Sequence, residues 1–71
     1  MNESQEAEMG ISDARANLTE VVARVRLREE RIVLTRREKP QAVLVSADFY
    51  RRALEALGEQ SAVLTREQKT V

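Results

Sequence analysis

Cysteine and histidine are both absent from this 71-residue chain, and the double absence excludes most of the chemistry a small protein carries. Without cysteine there is no disulfide and no thiolate nucleophile. Without histidine the commonest general base is gone, and neither residue is present to build a zinc site. The carboxylates that remain are scattered among arginines, so no enzyme, no metal and no cofactor is expected. Ser12 and Ser46 lie where helical patterns begin, and capping accounts for both without a nucleophilic role. Only two glycines occur, Gly10 and Gly58, which rules out a glycine-rich phosphate loop. No run approaches the roughly 20 apolar residues of a membrane span. Met1 to Glu8 is acidic and polar, unlike a secretory signal, so a cytoplasmic protein with no membrane partner is expected. A chain of this length that lacks the usual staples of mini-proteins is expected to gain stability by self-association.

Net charge is absent as well, with 12 basic and 12 acidic residues, but the zero hides a division along the chain. Residues 1–8 carry only acids. Residues 9–52 carry ten arginines and lysines against six acids, and residues 53–71 are slightly acidic again. A basic middle implies a nucleic-acid partner only if its arginines share a face.

The first eight residues have no apolar period and read as a disordered leader. Met9-Gly10-Ile11 suits a short strand, after which Ser12 is a good N-cap and Asp13 suits the positive end of a helix dipole. Ala14, Leu18, Val21, Val22 and Val25 then fall on one stripe of an α-helix, with Arg15, Thr19 and Arg26 along its flank. Two β-branched runs follow, Ile32-Val33-Leu34 and Ala42-Val43-Leu44-Val45. The polar link between them is short, so they are expected to form an antiparallel hairpin with Pro40 in the turn or at a strand start. Glu38 stands where a turn would welcome glycine. Beyond the hairpin, Ser46 or Asp48 can cap a second helix whose apolar residues are Phe49, Ala53, Leu54 and Leu57, and Gly58 ends it. Residues 59–71 hold one apolar cluster, Ala62-Val63-Leu64, too sparse for a core but sufficient to seat in a partner's groove. The expected organisation is a leader at 1–8, a dimerisation and DNA-binding domain at 9–57 and a flexible tail at 58–71.

Ile11-Ser12-Asp13-Ala14-Arg15-Ala16-Asn17-Leu18, then Ile32 through Ser46, then Asp48-Phe49-Tyr50 together resemble the Phd/YefM antitoxin family over Met9 to about Leu57. Glu38 departs from the glycine or asparagine often found in that family's turn. The resemblance implies an α+β fold: a short N-terminal strand, a helix, a β-hairpin and a C-terminal helix, intertwined in a homodimer with a flexible tail. It implies a type II toxin–antitoxin function, in which the dimer represses its own operon and the tail folds onto a cognate toxin, ribonuclease-like or Fic-like. By this resemblance Arg15 and Arg36 match the positions that reach operator double-stranded DNA.

The residues themselves support one basic surface from Arg15, Arg36, Arg37 and Lys39, which flank the two most ordered motifs. Asp13 opposes phosphate binding at the helix start, which leaves Ser12 a minor part in DNA contact. Asn17 has two open roles, DNA contact or a bond to nearby backbone. For Arg24, Arg28, Arg31, Arg51 and Arg52 a solvated face is expected. Val63 and Leu64 are the expected toxin anchors, extended by Leu54 and Leu57 if the core leaves them exposed. Two other functions fit the same sequence: a stand-alone dimeric regulator without a toxin, and a toxin-binding protein that does not bind DNA.

Overall fold

Strand formation needs apolar residues only at every second position, and Ala7 and Met9 meet that need between the exposed Glu6 and Glu8. In the computed structural model, which describes residues 5–68, they lie in strand β1 (Glu6–Gly10). Part of the expected leader is thus a strand, while Ile11 belongs to the helix that follows. Residues 1–4 of that leader lie outside the described residues. β1 pairs in parallel with β2 (Arg31–Arg36), from Glu6↔Arg31 to Gly10↔Thr35. Parallel neighbours require a crossover, and helices α1 (Ile11–Ala16) and α2 (Leu18–Arg28) supply it.

A single helix beginning at Ser12 was the expectation from the stripe, but the chain makes two. Gly10 takes the N-cap position of α1 with no side-chain bond, so Ser12 lies within the helix and caps nothing. The break falls at Asn17, at φ −125° and ψ 36°, where the backbone N–H and the side-chain amide both donate to the Asp13 carbonyl at 3.1 Å. Asparagine competes for backbone partners in this way, which is why it interrupts helices. The stripe is correspondingly divided. Ala14, Val21 and Val25 are buried, whereas Leu18 and Val22 are 51% and 45% exposed.

Val21, Val25 and Ile32 form the core, with Ala7, Met9, Leu34 and Leu44 packed against it. The hairpin expected from the two β-branched runs is present, with β2 antiparallel to β3 (Lys39–Leu44) and a register shift at Leu34/Thr35. Its two-residue turn, Arg37-Glu38, has φ of 54° and 67°. Positive φ at both central residues marks the primed turn whose twist matches a hairpin, usually supplied by Asn-Gly. A side chain in that region costs on the order of 1 kcal/mol per residue. Pro40 stands near the start of β3, an edge strand, where a missing N–H is tolerated.

Helix α3 (Ala47–Leu57) is capped at its start by Ser46, whose hydroxyl oxygen accepts from the Phe49 N–H at 3.0 Å, and at its end by Gly58 at φ 77°. The Ser46 hydroxyl also donates to Glu29 at 3.1 Å, joining α3 to the end of α2. The segment expected to be a flexible tail contains a further helix, α4 (Ala62–Gln68), begun by a bond from the Leu64 N–H to the Ser61 hydroxyl oxygen at 3.2 Å. Residues 69–71 of that segment lie outside the described residues.

Candidate nucleic-acid interface

The register Gly10↔Thr35 ends the two parallel strands at the same level, so α1 begins beside the point where β2 runs into its turn. Each expected basic residue occupies a defined place around that junction. Arg15 is in the last turn of α1, Arg36 closes β2 and Arg37 opens the turn. Together with Ser12, Asp13 and Thr35 they line a cleft of about 390 Å³. Lys39 pairs with Arg36 across the hairpin but is not part of the cleft wall, and Asn17 is engaged with the Asp13 carbonyl.

Two polar residues of this cleft were not among the expected contacts. Thr35 is buried, and its hydroxyl donates to the Met9 carbonyl at 3.4 Å, a long bond that still satisfies a polar group at the strand ends. Nothing local in β2 marks it out, because its part depends on a strand 25 residues earlier. Asp13 is exposed and opens into the same cleft as the three arginines. In the sequence it is visible as a residue that suits a helix start and disfavours phosphate.

Among the described residues there are four ion pairs, and none includes Asp13, Arg15, Arg36 or Arg37. Five of the arginines outside the cleft are treated differently, while Arg26, exposed on α2, has no ion pair among the described residues. Arg24 and Arg28 both reach Glu30, at 2.7 Å and 3.3 Å, and Arg51 and Arg52 flank Asp48 at 3.5 Å and 3.4 Å. Arg31 lies over the Phe49 ring, 5.2 Å from its centre. The hydrogen bond from Arg24 holds the Glu30 carboxyl below its ordinary range, against the opposing effect of burial, and the same bond raises Arg24. These side chains have internal partners, while those of Arg28 and Arg52 remain 71% and 62% exposed.

The expected toxin anchors divide. Leu57 and Val63 are well exposed, at 69% and 59%, and Leu64 is half-buried. Leu54 is buried, so it does not extend an open partner surface in this conformation. The left-handed Gly58 turns the chain so that Leu64 on α4 and Leu54 on α3 line one cleft of about 190 Å³. Val63 and Leu64 also line an open groove with Val43 and Tyr50.

No group of three or more His, Cys, Asp or Glu side chains suited to a metal occurs among the described residues, and no helix there is long and apolar enough to cross a membrane. Residues 6–70 match the family model described as antitoxin Phd_YefM of type II toxin–antitoxin systems. Comparison with curated proteins and with solved structures returned no significant match.

Proposed function

Since the chain belongs to the Phd/YefM antitoxin family of type II toxin–antitoxin systems, we propose that it acts as a homodimer that neutralises a cognate toxin and binds its own operator DNA as a repressor. The observation that carries the DNA half of this reading is the cleft between α1 and the β2–β3 turn, where three arginines converge without an internal partner. Free guanidiniums in a concave site suit phosphate and base-edge acceptors, and a dimer presents the cleft twice. Self-association is supported by the large apolar side chains left bare, among them Leu18, Val22 and Leu27 on α2, which a second copy can cover.

The toxin half of the reading rests on the surface around α3 and α4, where Leu57 and Val63 face outward and Leu64 is partly accessible. Its partner is a small toxin of ribonuclease-like or Fic-like type, and the site of action is the cytoplasm. The two halves separate in one experiment. Truncation after Gly58 is expected to leave dimerisation and gel shift on the upstream duplex intact while lowering calorimetric affinity for the co-expressed toxin. Equal toxin affinity with and without that segment would move the interface onto α3. Failure of the full chain to shift the duplex at all would remove the repressor role.

A further inference from the structure

A carboxylate that shares a cleft with three arginines and pairs with none of them requires an explanation. Asp13, Arg15, Arg36 and Arg37 line the same space, yet the ion pairs of the described residues all lie elsewhere. The Asp13 side chain, in the first turn of α1, has no hydrogen-bond or ion-pair partner among the described residues: Asn17 uses only its backbone carbonyl, and the residue is exposed. A wall built solely to grip phosphate would not include it, because a carboxylate repels phosphate from the very guanidiniums that attract it. A ligand that offers acceptors and a donor side by side suits all four groups.

The major-groove edge of DNA is such a ligand. Guanine presents the N7 and O6 acceptors that arginine takes, while cytosine and adenine present an exocyclic amino donor that a carboxylate accepts, and thymine presents only an acceptor and a methyl group. We infer that Asp13 is a specificity-determining residue, which makes the cleft select a guanine, bound by Arg15, next to an amino-bearing base of the adjacent pair. This rests on the operator-binding reading above and adds a base preference to it. Asp13 discriminates in two ways: it accepts from cytosine N4 or adenine N6, and it repels the O4 of thymine or the O6 of a second guanine.

The test is selection from a randomised duplex library by the full-length parent, Asp13→Asn and Arg15→Ala, followed by titration of duplexes that differ only at the neighbouring base. Thermal unfolding of Asp13→Asn checks that the α1 break, which uses the backbone carbonyl, survives. The expected result is that the parent enriches guanine beside cytosine or adenine. Asp13→Asn should keep the guanine while its preference for an amino over a keto neighbour falls about tenfold, and Arg15→Ala should lose the guanine. Unchanged base preference in Asp13→Asn overturns the inference, including the case where affinity rises equally for every sequence, because charge alone would then account for Asp13. A parent that enriches no sequence overturns the operator-binding reading itself, and this inference with it.

Discussion

Two sets of arginines on this domain meet very different surroundings. Arg24, Arg28, Arg51 and Arg52 each reach a carboxylate, through Glu30 or Asp48, and Arg31 rests on Phe49. Arg15, Arg36 and Arg37 line one cleft with no such partner. Surface pairs contribute little to stability, with a median near 0–1 kcal/mol, so the first set matters mainly because its charge is already answered. The charge of the second set is still available. Separation of this kind is what would let a chain with no net charge hold the polyanion site proposed above. The apolar residues of α2 show the same division, with Val21 and Val25 spent on the core and Leu18, Val22 and Leu27 left for another surface.

The largest effect is expected where that apolar division is attacked. The double variant Leu18→Glu, Val22→Glu places charge on the bare face and should abolish self-association in sedimentation experiments. A variant that still dimerises would show that the second copy covers another surface. Next in size is Ser46→Ala, which removes both the α3 cap and the bond to Glu29. Losing such a cap costs about 1 kcal/mol, to be seen in chemical denaturation with duplex affinity of the folded protein unchanged. Glu38→Gly acts in the opposite direction. It relieves a side chain held at φ 67°, and should stabilise the fold by roughly 0.5–1 kcal/mol by the same measurement.

The smallest effect belongs to Glu30. Its carboxyl is held below the ordinary 4.5 by the Arg24 hydrogen bond, with Arg28 assisting. A depressed folded-state value stabilises the protein above the unfolded pKa, and the contribution fades as pH falls through the folded one. Glu30→Gln should therefore lose less stability than the parent as pH falls through and below the ordinary carboxylate range in thermal unfolding. Parallel curves for the two proteins would mean that the pair contributes nothing to the fold.

Elements announced by local signals are legible in the sequence. The hairpin follows from two β-branched runs and a short polar link, and α3 from Ser46, an apolar stripe and Gly58. β1 is less legible, because a five-residue strand with two inward side chains is specified by pairing with residues 25 positions away. The break at Asn17 depends on one side chain competing for one carbonyl, against a stripe that continues across it. For the site, Arg15, Arg36 and Arg37 could be named from spacing and resemblance. Thr35 and the position of Asp13 in the cleft wall could not, because the β1–β2 register that brings them together is non-local. The burial of Leu54 is not legible for a related reason: it lines a cleft with Leu64 beyond the turn at Gly58, a neighbour that the stripe of α3 alone does not announce.

The central claim is that the arginines of the cleft, and not those paired with Glu30 or Asp48, meet DNA. The most direct test is the salt dependence of duplex binding for the parent, Arg36→Ala and Arg52→Ala, each confirmed as folded. Each phosphate contact contributes about 0.9 to the slope of log affinity against log salt on B-form DNA. The account predicts that Arg36→Ala flattens the slope by about one contact per protomer and weakens binding, while Arg52→Ala leaves both within error. A flattened slope in Arg52→Ala with an unchanged one in Arg36→Ala would contradict it.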